Sequence, residues 1–212
     1  MIKGKYRVAL EYCNRTGKKY YLHEGKTKTG KPRYFFSSRE NGKGKEVEKL
    51  PEGYEIYEHP ENAQVFLRKM RSRLITDIEE QFVKKCLNTL KRSRQYLVDC
   101  KDEYITIYES NADTEILKGL LGDLLSIAPT RPGVNTGDAM AALVNIADQH
   151  YTAMLRFCLN DKEKRTFVAQ RFCFRGSIDE WVYLAGPGDF EGIVKKYVKF
   201  LGTDEFFDTP YF

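Results

Sequence analysis

The sequence predicts an α+β protein of mixed hairpins and helices, with a strand-rich basic module at its N-terminus. Polar and apolar residues alternate near the N-terminus, which is typical of half-buried strands. Further along, a helix-capping pattern precedes apolar residues spaced four apart, which indicates an amphipathic helix. The predicted strands and helices occur in blocks without strict alternation, and this argues against a doubly wound parallel sheet.

The first part of the chain is predicted to form strands that are separated by turns rich in glycine and charged residues. Five strands are expected there, over residues 6–12, 19–23, 33–37, 54–57 and 65–69. The periodicity of 65–69 alone fits either a strand or the start of a helix. A strand is preferred because Thr76 and Glu79 form a capping-box pattern, which marks a new helix start.

That helix is predicted to run from Thr76 to about Arg92, with an apolar stripe on one side and cations in its last part. The remaining elements are a hairpin over 95–99 and 104–108, helices over 113–127 and 138–149, strands over 154–159, 166–174 and 181–185, a helix over 190–201, and an aromatic tail over 204–212. A break near residues 70–75 separates a basic module, 1–72, from an α+β body, 73–212. Whether these parts are separate domains stays open.

Composition excludes several classes of protein. A chain of 212 residues with 42% hydrophobic residues can bury about 70% of its surface, which rules out a disordered chain. No apolar leader follows Met1, and no uninterrupted apolar run approaches the length of a membrane span. Five cysteines without a CxxC pair indicate reduced thiols. We therefore expect a cytoplasmic protein that does not enter a membrane.

Charge is distributed unevenly along the chain. Residues 1–45 contain 13 Lys and Arg against 3 Asp and Glu, a net charge of +10, whereas the whole chain carries only +5. The remainder is therefore mildly acidic, at −5. Such asymmetry indicates an anionic partner for the basic module, although a solvated surface that keeps the protein in solution is the ordinary alternative.

Two glycine-rich segments resemble nucleotide-binding patterns but fail in detail. Residues 25–32 match a phosphate loop up to the last position, where Pro32 lacks the hydroxyl that would bind Mg²⁺. A strand-like aromatic run follows it, so a basic hairpin loop is predicted. Residues 186–192 lie too near the C-terminus for a dinucleotide fold. They are expected to make a tight strand-to-helix connection, with Asp189 capping the helix.

No catalytic or metal site is visible in the sequence. The three histidines, His23, His59 and His150, are far apart, and none has a second ligand at metal-binding spacing. The adjacent carboxylates of the chain point different ways on a helix or strand, and no nucleophile elbow is present. We therefore expect no cofactor and no metal, and the protein is predicted to be non-catalytic.

The candidate site is the basic, aromatic N-terminal module. Its cations would neutralise phosphates of RNA or DNA, and its aromatics would stack on bases. The predicted nucleic-acid-binding residues are Lys18, Lys19, Tyr20, Lys26, Lys28, Lys31, Arg33 and Phe35. Neighbouring strand residues point to opposite faces, so half of the aromatics are expected to pack inside the module.

Two other classes of function stay open. The first is a protein–protein interaction module, in which the aromatic tail Phe206–Phe212 docks into a partner or a second copy. The second is an enzyme whose site is assembled from residues distant in sequence. A Pro/Gly loop over residues 129–137, with Arg131 as its only charged residue, is a further candidate for binding.

Overall fold

The computed structural model describes residues 9–70, 72–111, 119, 150–174 and 179–208. The chain divides into two compact units, Met1–Met70 (unit 1) and Arg71–Phe212 (unit 2). In the described ranges, no helix has the length and apolar character needed to cross a membrane. All five cysteines are unpaired.

Unit 1 consists of short antiparallel strands in two sheets. They are β1 (Glu11–Cys13), β2 (Lys19–Lys26), β3 (Pro32–Ser37), β4 (Lys45–Glu46), β5 (Tyr54–Glu58) and β6 (Val65–Lys69). The first sheet has the order β1-β2-β3, with β4 also paired to β2, and β5 and β6 form a two-stranded sheet. The strand predicted over residues 65–69 is confirmed as β6.

Two turns of unit 1 are joined by the side chains of Asn14 and Arg15. The buried Asn14 amide donates to the carbonyl of Ala63 at 2.8 Å, and its oxygen accepts the amide hydrogen of Lys18 at 2.8 Å. Arg15 donates to the Glu58 carboxylate at 2.8 Å and to the carbonyls of residues 59 and 60. These bonds satisfy turn carbonyls that would otherwise need water, and they hold the β1–β2 turn against the end of β5.

Unit 2 is built on one five-stranded antiparallel sheet in the order β11-β10-β9-β8-β7. Its strands are β7 (Tyr96–Lys101), β8 (Tyr104–Ser110), β9 (Tyr151–Asp161), β10 (Thr166–Cys173) and β11 (Glu180–Asp189). Its helices are α1 (Asp77–Leu87), a 3₁₀ turn (Ser93–Gln95), α2 (Phe190–Val198) and α3 (Glu205–Asp208). The hairpin predicted over 95–108 is confirmed as β7–β8.

The core of unit 2 lies between its sheet and helices α1 and α2. Ile105 and Ile107 of β8 are both fully buried, and the period of two in a strand puts them on the same face of the sheet. Phe190, the first residue of α2, contacts the rings of Phe82 on α1 and Phe167 on β10 at centroid distances of 5.9 Å and 4.5 Å. One aromatic ring therefore joins both helices to the sheet.

Helix α1 begins where the sequence predicts, and its capping box is confirmed. The Thr76 hydroxyl accepts from the Glu79 amide, and the Glu79 carboxylate accepts from the Thr76 amide at 2.8 Å. The same carboxylate accepts from the Arg165 guanidinium at 2.6 Å, and Arg165 also donates to the carbonyl of Leu74. Helix α2 is likewise capped as expected, because the Asp189 carboxylate accepts from the Gly192 amide at 2.7 Å.

The α+β prediction is wrong: the protein is mostly β. Strands contain 45% and helices 18% of the described residues, in three sheets. Helix α1 ends at Leu87 and not at Arg92, because the chain tightens into i→i+3 bonds from the Thr89 amide onward. Strands β2, β9 and β11 are longer than expected, and β9 covers eleven residues instead of the six predicted over 154–159.

Residues 186–189, the first part of the connection predicted over 186–192, belong to β11. Register shifts between β10 and β11 let the edge strand carry Pro187, which has no amide hydrogen to donate. Apart from the helical Gly119, the helices predicted over 113–127 and 138–149 and the loop over 129–137 with Arg131 lie outside the described residues.

We expect Glu79→Gln to destabilise unit 2 at pH 7 by about 1–3 kcal/mol, because it removes the negative charge that pairs with the Arg165 guanidinium. Burial acts to raise the pKa of Glu79, but bonds from Arg165 and Thr76 outweigh it and hold that pKa below its usual range. The stabilisation is thus complete above the unfolded-state pKa of about 4.3, and it disappears as pH falls through the folded value.

Urea unfolding followed by the fluorescence of Trp181, the only tryptophan, measures this effect in unit 2. The matched control is Glu163→Gln in the exposed β9–β10 turn, which should change stability little. The same wild-type to variant difference at pH 7 and at pH 3 would contradict the prediction.

Candidate nucleic-acid interface

The β2–β3 hairpin of unit 1 ends in a tightly bonded loop. The Thr27 amide donates to the Lys31 carbonyl at 2.8 Å, and the Gly30 amide donates to the Thr27 carbonyl at 2.9 Å. The Thr27 hydroxyl accepts from the Lys31 amide at 3.1 Å, and Gly30 has a φ of +80°. Residues 25–32 therefore form the plain hairpin loop that their sequence predicts, and no helix begins there.

Four of the predicted cations surround this loop. We call residues 26–33 the hairpin tip, and its cations are Lys26, Lys28, Lys31 and Arg33. All four are exposed, and the tip contains no acidic residue. Within the described part of the chain, no carboxylate lies within 4.0 Å of any of their charged groups. The tip therefore concentrates four positive charges that have no counter-ion among the described residues.

Lys18 and Lys19 lie at the other end of β2. A strand rises about 3.3 Å per residue, so the backbones of Lys19 and Lys26 are about 23 Å apart. Lys19 pairs with Glu11 at 2.8 Å, and a hydrogen bond to that carboxylate raises the pKa of Lys19. The Lys18 ammonium lies 5.4 Å from the centroid of the Tyr20 ring. These two lysines are therefore separate from the hairpin tip.

The two predicted stacking residues lie on opposite faces of the sheet. Tyr20 lies on β2, and Phe35 on β3 pairs with His23 of β2, so Phe35 and His23 share a face of the sheet. Tyr20 and His23 are an odd number of residues apart on β2, so Tyr20 points to one face and the His23–Phe35 pair to the other. The Phe35 ring stacks on the fully buried His23 ring at a centroid distance of 5.8 Å and an interplanar angle of 28°. Both predicted rings are half-buried. They do not form one stacking platform, and each packs within the module.

One cation that the site prediction omitted lies near the tip end of the sheet. Strand β4 runs antiparallel to β2 with Lys45 opposite Glu24, two residues from Lys26. A second omitted cation, Lys43, precedes β4 in the loop that passes over His23. Both lysines are exposed. A two-residue strand has no periodicity to detect, so only the cluster of basic residues in the sequence could have indicated them.

The approach of β4 to β2 depends on Gly44. Its φ is +130°, and a Cβ built there would lie 2.8 Å from the Glu24 carbonyl oxygen. No other residue fits such a position without moving the backbone. The preceding loop covers His23, whose Nε2 lies 3.2 Å from the Arg39 carbonyl oxygen.

The aromatic tail is divided between the core and the surface. Phe206 is 2% exposed, and its carbonyl accepts a hydrogen bond from the buried Arg171. Phe207 is 56% exposed, and residues 209–212 lie outside the described residues. Docking of the tail into a partner stays a prediction. Because Phe206 is buried, it is not among the tail residues that could contact that partner.

Among the residues that the structure describes, no three His, Cys, Asp or Glu side chains are grouped as metal ligands.

We expect Gly44→Ala to destabilise the β2–β4 pair by more than about 2 kcal/mol, because the added Cβ meets the backbone and the φ is unfavourable. Gly30→Ala is the matched control. Gly30 also has a positive φ, but nothing lies within 4 Å of its Cβ position, so the cost there is about 1 kcal/mol. Hydrogen exchange of the β2 amides measures the destabilisation caused by each variant. Equal effects of the two variants would contradict the claim that the contact of Gly44 with the Glu24 carbonyl is what requires glycine.

Comparison with known proteins gives no assignment for this chain: no protein-family model, no curated protein and no solved structure matches it.

Proposed function

We propose that unit 1 binds the phosphate backbone of RNA or DNA through the hairpin tip and has no catalytic role there. The observation that carries this proposal is the set of four exposed cations on one bonded loop without a carboxylate within 4.0 Å in the described part of the chain. Lys45, opposite Glu24 on β2, adds a further exposed cation at the same end of the sheet.

The expected binding is led by electrostatics. Each lysine or arginine that contacts a phosphate releases condensed counter-ions, so affinity falls steeply as salt rises. Because cations supply most of the contacts, base sequence should matter little. Arg33 differs from the lysines, since its planar guanidinium can bind one phosphate through two parallel hydrogen bonds.

The tip is suited to this role by its rigidity. Its loop is closed by backbone and hydroxyl hydrogen bonds, and β2 is paired on both sides, with β3 and with β1 and β4. The backbone that carries the cations is thus already ordered, and binding has to order only the side chains. Tyr20 and Phe35, which pack within the module, should contribute less than open stacking residues would.

Fluorescence anisotropy with labelled 20-nucleotide duplex DNA and single-stranded RNA, between about 50 and 200 mM salt, tests the proposal. The decisive variant replaces all four tip cations by glutamine: Lys26→Gln, Lys28→Gln, Lys31→Gln and Arg33→Gln. Losing about four phosphate contacts should reduce the slope of log affinity against log salt on duplex DNA by about 3 to 4.

The control carries the same charge change on exposed lysines of unit 2: Lys91→Gln, Lys101→Gln, Lys162→Gln and Lys164→Gln. It should keep the wild-type slope. The proposal fails when the wild type does not bind at 50 mM salt, or when both variants weaken binding equally, since that result would reflect net charge alone. Unfolding of the tip variant is checked by hydrogen exchange of β2.

A further inference from the structure

Unit 2 contains a cleft between helices α1 and α2 that is separate from the hairpin tip. Its volume is about 600 Å³, within the range of small-molecule sites. Nine residues line it, and they come from α1, the turn that follows α1, helix α2 and its C-cap: Phe82, Lys85, Cys86, Thr89, Leu90, Glu191, Lys195, Val198 and Lys199.

The lining combines an apolar surface with a cationic one. Phe82, Cys86, Leu90 and Val198 supply carbon and sulfur surface, and Val198 belongs to the core of unit 2. Burial raises the pKa of the Cys86 thiol despite Lys195 and Lys85 nearby. A neutral thiol behaves as a small hydrophobic group, so Cys86 is part of the apolar lining.

Three ammonium groups and one carboxylate belong to the lining. Glu191 pairs with Lys195 at 3.0 Å, and the Lys195 ammonium lies 5.3 Å from the Phe82 ring centroid. Across the described residues, Lys85 and Lys199 have no carboxylate within 4.0 Å. One pair is therefore neutral, and the cleft keeps two positive charges beside an apolar surface.

Cations are common in the last turns of helices, where they interact favourably with the helix dipole. That role explains three lysines near helix ends but does not require an open apolar cleft between them. The cleft and the uncompensated charge together match a ligand with an apolar body and one negative end.

We infer that this cleft binds a single-chain aliphatic carboxylate. The alkyl chain lies on Phe82, Cys86, Leu90 and Val198, and the carboxylate meets the ammonium groups of Lys85 and Lys199. This site is independent of the hairpin tip, and failure of either proposal leaves the other unaffected.

Equilibrium dialysis of the full chain with radiolabelled decanoate, below its micelle concentration, measures binding directly. Iodoacetamide alkylation read by peptide mass spectrometry then locates it. Bound decanoate should slow modification of Cys86 severalfold and in a saturable way. The exposed Cys13 in unit 1 is the internal control and should react at an unchanged rate.

The test of charge uses Lys85→Glu with Lys199→Glu, which should weaken decanoate binding at least about tenfold. The matched control, Lys162→Glu with Lys164→Glu, makes the same charge change on the exposed β9–β10 turn and should bind as the wild type does. Decyltrimethylammonium, with a similar chain and the opposite charge, should not protect Cys86.

Three results overturn the inference. The first is no saturable decanoate binding in dialysis. The second is protection of Cys86 and Cys13 to the same extent. The third is equal binding by both charge-reversal variants, which would leave the lysine rim without a role.

Discussion

Glu79 is the side chain on which the arrangement of unit 2 depends. It closes the capping box at the start of α1 and accepts the guanidinium of Arg165 from the turn between β9 and β10. Arg165 is held with a φ of +51°, an uncommon conformation for a residue with a side chain, and it also donates to the Leu74 carbonyl. One carboxylate therefore fixes where α1 begins and where it lies on the sheet, and α1 in turn supplies one wall of the cleft.

Unit 1 separates the residues that stabilise it from those that we propose to bind nucleic acid. Asn14 and Arg15 connect the β1–β2 turn to the end of β5, at the end of β2 opposite to the hairpin tip. The tip cations take no part in these bonds, so they can be exchanged for neutral residues without loss of packing. Loops that carry function on a fixed scaffold commonly show this division.

Local patterns in the sequence were sufficient for some features and insufficient for others. The capping box at Thr76 depends on residues three apart, so the helix start could be predicted from them. The faces of Tyr20 and Phe35 depend on strand register, which the pairing partners decide. The approach of β4 depends on a contact of Gly44 with a strand twenty residues earlier in the chain, which no short pattern records. The fold class failed for the same reason, because the pairing of β11 with β10 extends it through a segment that looks locally like a turn.

That segment also bears on how the protein behaves in concentrated solution. Among the described strands, β11 lies at one edge of the five-stranded sheet, and it carries glycine, proline and glycine at positions 186–188. An edge strand offers unpaired backbone groups to other chains, and edge-to-edge pairing is a route to aggregation. Pro187 has no amide hydrogen to offer to another strand, and the register shifts beside it break the regularity of β11. The Gly-Pro-Gly run thus protects an otherwise long edge strand against pairing with a second copy of the chain.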